Sequence, residues 1–290
     1  MPSFPGPAPA RPGGEPRART GARRWLPSRL EVAVLAYLAL AGAVPLAAAV
    51  AQLAHTAPAD TWRAVTAPAA GAAIRLSLEV ALASAAINAP LGLLVAWVLG
   101  RYRFPGRRLL DALVDLPLAI PGVVAGISFM TLFGPAGRVG RALVGLGAPR
   151  LVGSRTGLVL AGLYVTLPFV VRTVQPVVLT LDREAEEAAE VLGATPGQRF
   201  VRVVLPQLLP AVAAAFGLAF ARAVNEYGVF VLVSGNVAFE TLVAPVYVYQ
   251  RVEAFDFARA TGVAAVLCAA SLGVLALTHA YQRRSARRAA

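Results

Sequence analysis

Lysine is absent: all 27 basic side chains among the 290 residues are arginine. A phosphate-cradling P-loop places a lysine on the β- and γ-phosphates, so nucleotide hydrolysis by that route is excluded. Schiff-base chemistry needs a lysine amine and goes with it. Cys268 is the single cysteine, which rules out an intrachain disulfide. It sits in an apolar run and reads as a small core- or lipid-facing side chain. The two histidines, His55 and His279, have no serine or cysteine positioned to complete a hydrolytic pair. No catalytic, metal-binding or cofactor-binding residue is therefore expected. Charge is also scarce, at 14% of residues, against roughly a quarter in a soluble globular chain.

Apolar residues take the place of charge. They make up 58% of the chain, whose mean hydropathy is +0.66. They collect in runs long enough to cross a hydrocarbon core about 30 Å thick. Six spans are expected, at 32–53, 77–99, 109–133, 158–181, 208–233 and 262–281, so the fold class is an all-α membrane protein with six transmembrane helices. Residues 1–29, rich in Pro, Gly, Ala and Arg, are expected to form a disordered tail. Residues 30–69 hold the first span and an outer loop, 70–282 the other five spans, and 283–290 a second basic tail. The first run, preceded by Arg23, Arg24 and Arg29 and ending near Ala49-Val50-Ala51, also fits a signal peptide; its length favours an uncleaved span. Prolines 117, 121, 168 and 176 fall inside spans, where neighbouring helices must satisfy the freed backbone groups.

The net charge is +12. In a soluble protein that would suggest a nucleic-acid partner, and the placement of the charge argues against one. With six spans and both ends inside, 17 of the 27 arginines fall in the N-terminal tail, the 100–109 loop, the 182–205 segment and the C-terminal tail. This is the bias of cytoplasmic loops facing anionic headgroups. Both termini are accordingly expected in the cytoplasm. Arg138, Arg141, Arg150 and Arg155, between the third and fourth spans, run against the bias.

The segment at 182–206 is the most informative. Asp182-Arg183-Glu184-Ala185-Glu186-Glu187-Ala188-Ala189-Glu190 is a strong helix former with acids near its N-terminus, as the helix dipole favours. Gly193 stands as a stop. Thr195 is a good N-cap and Pro196 a good first residue for a second helix. Local physics predicts a helix, a sharp turn and a second helix, with Pro206 starting the fifth span.

Glu187-Ala188-Ala189, three residues, Gly193, nine residues, and then Val203-Val204-Leu205-Pro206 matches the EAA-x3-G-x9-I-x-LP signature of ABC importer permeases, with Val203 for Ile. The chain resembles that family from about residue 70 onward. Arg101-Tyr102-Arg103-Phe104-Pro105-Gly106-Arg107-Arg108, Asp115-Leu116-Pro117, Leu167-Pro168-Phe169 through Pro176, Phe220-Ala221-Arg222-Ala223, Glu226-Tyr227-Gly228 and Ser234-Gly235-Asn236 are similar to the sulfate/thiosulfate permease subfamily, and specifically to its T-type subunit. Asn225 stands where that subfamily usually carries glycine.

The resemblance implies a type I ABC importer permease fold over 70–282 with a cytoplasmic coupling helix. It implies coupling to the ATPase through Glu187, Ala188, Ala189, Gly193, Val203, Leu205 and Pro206, and import of sulfate or thiosulfate across a bacterial inner membrane. The implied partners are a dimer of ATPase subunits that bind the ATP, a second homologous permease, a periplasmic sulfate-binding protein and membrane lipid. The molybdate and tungstate permeases share the frame and stay open as an alternative substrate class. A secondary anion transporter is a further alternative, although neither the inverted repeats nor the intramembrane acid relay it calls for is visible.

Ionisable groups inside spans are costly and point to function. Arg172 in span four, and Arg222 with Glu226 in span five, are the candidates for a gate or pathway. Arg222 and Glu226 are four apart and share a helix face. Glu79, Asp111 and Asp115 lie towards span ends. Ser77, Asn88, Ser128 and Thr131 are polar span residues that either line a path or bond a carbonyl of their own helix.

Overall fold

The computed structural model describes residues 29–55 and 58–289, so the expected disordered tail, apart from Arg29, lies outside the described residues. The chain divides into two compact units, Met1–Ala48 and Ala49–Ala290. The first span is carried by α1 (Arg29–His55), whose side chains from Leu30 to Val44 are exposed.

The second unit takes in the end of α1, followed by the short α2 (Pro58–Thr66) and then α3 (Pro68–Arg101). The helix α3 starts where Pro68, with no N–H to leave unpaired, takes its first turn. Next come α4 (Arg107–Ala119), α5 (Gly122–Phe133) and a short α6 (Arg138–Gly145). The Ser154 hydroxyl accepts the Gly157 N–H at 3.1 Å and caps α7 (Arg155–Leu179). Then follow α8 (Arg183–Val191), α9 (Pro196–Arg199), α10 (Leu205–Val224), α11 (Phe230–Val233), α12 (Ala244–Glu253) and α13 (Phe257–Ala289).

The core is a cluster of α3, α7, α10 and α13. The helices α3 and α7 run parallel. Glu79 meets Arg155 at one end; Ser84, Gly92 and Gly100 then meet Gly162, Val170 and Val178 in turn. Glycine permits this approach: a Cβ on Gly92 would lie 2.4 Å from Val170 Cγ1, and one on Gly162 would lie 2.3 Å from Ser84 Oγ. Small residues at the seam let helix backbones pack closely where lipid offers no hydrophobic drive for association. By contrast α13 runs antiparallel to α10: Ser271, Thr278 and Gln282 meet Asn225, Gly217 and Pro210 in descending order. Many large apolar side chains face outward, among them Leu82, Ile87, Leu91 and Leu94 of α3 and Leu272 and Leu277 of α13, as lipid requires.

Several expectations are corrected. Among the described residues four helices are long and apolar enough to cross a membrane: Pro68–Arg101, Arg155–Leu179, Pro196–Val224 and Phe257–Ser285. The third expected span is the bent pair α4 and α5, turned by 111°. It counts as a fifth crossing, because α7 begins at the end of the bundle where α3 also begins. That makes five crossings among these helices, and the first expected span is carried separately by α1. The bend comes at Ile120, held extended before Pro121, while Pro117 stays inside α4. The fifth span starts at Pro196 and ends at Val224, not at 208 and 233. Pro206 does not start it; α9 and α10 are joined by a π-turn over Phe200–Val204. Pro206 has no N–H for the Arg202 carbonyl and would crowd it, and the widened turn lets the helix continue. The sixth span runs on as helix through the expected basic tail to Ala289.

Candidate functional site

The 182–206 segment forms as its local chemistry dictates. The Asp182 carboxylate accepts the Glu184 N–H at 2.9 Å and opens α8. Gly193, at φ +84°, closes it. Its N–H donates to Glu190 O, and the Ala194 N–H donates to Ala189 O, the paired bonds of a Schellman stop. Thr195 and Gln198 form a capping box on α9, each side chain accepting the other's backbone N–H. Glu187, Ala188 and Gly193 are exposed, whereas Ala189 is half-buried. Val191 and Leu192, at the tip beside Gly193, are 88% and 87% exposed. An apolar tip this exposed on a polar helix is an unpartnered contact surface. Val203 and Leu205 are half-buried, and Pro206 is exposed.

This segment hangs at one end of the bundle, where α3 and α7 finish and α9 and α10 begin. The antiparallel course of α13 brings its C-terminal end there as well. Two ion pairs fix the segment: Arg101, the last residue of α3, binds Glu186 of α8, and Arg199 of α9 binds Glu190 of α8. The Arg101 guanidinium also lies over the Trp97 ring at 5.0 Å. Trp97 in turn meets Phe200 of the π-turn edge-on at 5.4 Å. Trp97 did not stand out in the sequence, and Arg101 did so only as part of the basic 100–109 loop. The available signal was an arginine closing one span and an acidic segment following another, which does not select a partner.

Arg172 does not stand alone in its span. Its Nε and Nη2 fork onto Asp115 at 2.8 and 2.5 Å, and its Nη1 binds Asp111 at 2.7 Å and Gln175 at 2.6 Å. The two carboxylates, expected towards span ends, sit one turn apart on α4 and tie it to α7. Arg222 and Glu226 do pair, at 2.5 Å, although Glu226 lies past the end of α10. The carboxylate is buried; its Oε1 accepts the Val229 N–H at 2.9 Å and starts the turn into α11. Directly beside it Gly122 and Gly228 meet backbone to backbone, since a Cβ on Gly228 would lie 3.1 Å from Gly122 Cα. The first turn of α5 thus rests on the break after α10.

The polar span residues are engaged. Ser128 and Thr131 donate to Val124 O and Ile127 O of their own helix. The Ser77 hydroxyl accepts the Ala244 N–H at 2.7 Å, and Asn88 donates to Leu163 O and Thr166 Oγ1 across the α3–α7 seam. Asn88 and Ser128 also edge an apolar cavity of about 600 Å³ between α3, α4, α5 and α7.

Residues 88–289 match the family described as binding-protein-dependent transport system inner membrane component. The chain is 44% identical over 241 residues to the probable sulfate transport system permease protein cysT of Nephroselmis olivacea, covering 83% of this chain and 84% of that one. It is 42% identical over 254 residues to the sulfate transport system permease protein CysT of Escherichia coli K12, covering 88% and 91%. Two solved structures share the fold at a TM-score of 0.72. One is a bacterial ABC transporter involved in the import of the acidic polysaccharide alginate, 18% identical over 88% of this chain and 94% of that chain. The other is a bacterial alginate ABC transporter in complex with an alginate pentasaccharide-bound periplasmic protein, 19% identical over 88% and 93%. At these identities the likeness is one of fold.

Proposed function

The chain belongs to the family of binding-protein-dependent transport system inner membrane components, and on that footing we propose that it is the permease subunit of an ABC importer moving sulfate into the cell. The observation that carries this reading is the 182–206 segment: a capped, rigid helix-turn-helix with an exposed apolar tip, pinned to three spans at one end of the bundle. It has the form of a plug for a groove on an ATPase subunit, which binds and hydrolyses the ATP. Closure of that subunit pushes α8, and α8 pulls on α3 through Arg101 and on α10 through the π-turn. A second homologous permease completes the path, and a periplasmic binding protein delivers the anion. The segment, and with it the C-terminus, then faces the cytoplasm. Glu187, Ala188, Gly193 and Leu205 act in coupling.

The intramembrane charges suit such a carrier. A sulfate dianion cannot enter lipid unpaired, so it needs a wet path, and a free arginine along that path would hold it too tightly. Arg172 is matched by Asp111 and Asp115, and Arg222 by Glu226. Both therefore serve as clamps between elements, and transient binding falls to backbone N–H and hydroxyl groups.

The test is sulfate-stimulated ATPase activity of the chain reconstituted with its ATPase subunits, partner permease and binding protein. Stimulation that disappears in Gly193→Arg supports both substrate and coupling. Activity driven by molybdate and not sulfate reassigns the substrate, and uptake by this chain alone overturns the reading.

A further inference from the structure

The elbow between α3 and α4 carries two adjoining pockets that coupling does not use. Arg103, Arg107 and Arg108 converge, with Asp111, on a polar pocket of about 480 Å³. Arg103 and Phe104 also border a second pocket of about 830 Å³, otherwise lined by apolar residues of α3 from Pro90 to Val98, by Tyr102 and by Phe200. Asp111 is occupied by Arg172, and Arg101 by Glu186. The three elbow arginines form no ion pair among the described residues, so the small pocket carries an uncompensated positive charge. The α3 residues that line the apolar groove run from Pro90 to Val98, about 12 Å of helix, and Tyr102, Arg103 and Phe104 extend it towards the roughly 15 Å hydrocarbon depth of one leaflet. Tyr102 lines the apolar pocket next to Arg103 and Phe104, the two residues that border both pockets, and aromatic side chains favour the headgroup level.

We propose that this elbow is a binding site for an anionic phospholipid, with the phosphate held by Arg103, Arg107 and Arg108 and an acyl chain laid along α3 against Trp97 and Phe200. Charge selects the headgroup, and the length of the groove selects a lipid over a soluble anion. Because Phe200 belongs to the π-turn and packs on Trp97, the acyl chain bears on the base of the 182–206 segment. The site depends only on the chain spanning a membrane, so its failure would leave the transport reading untouched.

The full chain, purified in mild detergent, is examined by native mass spectrometry. It should retain phosphatidylglycerol or cardiolipin over phosphatidylethanolamine by at least about fivefold relative to their membrane proportions, the factor that roughly one kcal/mol from a single surface basic residue implies. Arg103→Gln with Arg108→Gln should erase the preference, lysine at both positions should restore it, and Arg138→Gln with Arg141→Gln should leave it intact. Equal retention of both lipid classes by the parent chain overturns the proposal, as does undiminished preference in the double Gln variant. Inorganic phosphate binding to the delipidated chain as tightly as a short-chain phosphatidylglycerol would make the pocket a plain anion site and also overturn it. So would cross-linking of Leu94→Cys to the second permease in the assembled complex, which would assign the groove to a subunit interface.

Discussion

Arg101 closes α3 and binds Glu186 of α8 across 85 residues of chain, with side chains only 13% and 21% exposed. Two spans and their connections lie between these residues in sequence, yet the pair is the direct link from the exposed segment to α3, one of the four helices of the core. Arg101 is further held over Trp97, and its Nε is buried with no hydrogen-bond partner among the described residues. A guanidinium so placed depends on Glu186 for its charge balance.

Glu186→Gln or Arg101→Gln should uncouple the complex. ATP hydrolysis persists while sulfate uptake into vesicles falls about tenfold, the effect of losing one charge-assisted hydrogen bond worth about 1.4 kcal/mol. The exchange Arg101→Glu with Glu186→Arg should recover most of the uptake. A pair that served stability alone would lower melting temperature without changing the ratio of uptake to hydrolysis.

Gly193 sits at φ +84° with open space where a Cβ would go, so backbone conformation and not crowding limits substitution. Gly193→Val should strain the turn by about 1–2 kcal/mol and abolish stimulated ATPase activity. Gly193→Asn, which tolerates the left-handed region, should keep a substantial part of it. Equal loss in both would show that bulk at the tip, not the turn, matters.

Removing Arg172 leaves Asp111 and Asp115 facing each other without a cation. Arg172→Leu should lower stability by about 1–3 kcal/mol, a figure tempered by the partial exposure of all three side chains. Arg172→Lys cannot reproduce the forked geometry and should recover less than half of the loss. Thermal unfolding of the purified chain measures both.

Glu226 does two things: it neutralises Arg222 and starts the turn into α11. Glu226→Gln keeps an acceptor for the Val229 N–H and should cost about 1 kcal/mol. Glu226→Ala loses both contacts and should cost about 2–3 kcal/mol. If the two variants melt at the same temperature, the cap contributes nothing and the ion pair everything.

What could be read from the chain followed the range of the interactions. Asp182, Gly193, Thr195 and Pro196 act on backbone within three residues of themselves, so α8, its stop and the start of α9 were legible in order. Arg222 and Glu226 were legible as neighbours because four residues make one turn, even though the helix ends between them. The fork of Arg172 on Asp111 and Asp115 spans about sixty residues of sequence, and no periodicity predicts it. The proline-rich spans were legible as apolar runs but not as shapes. Pro90, Pro117, Pro168, Pro176 and Pro210 remain inside helices, while Pro121 stands at a bend of 111°.

The sequence by itself determined that the solvent is lipid, that the elements are helices and that a capped helix, its glycine stop and the cap of the next helix follow one another over 182–196, because hydrophobic run length, backbone propensity and capping are properties of neighbouring residues. Tertiary structure alone decided the course of the third span, the parallel packing of α3 with α7, the partners of Arg172 and the tie from Arg101 to Glu186. Those depend on which surfaces meet: a proline bends or is absorbed, and a charge is paired or exposed, according to the helix that arrives beside it from elsewhere in the chain.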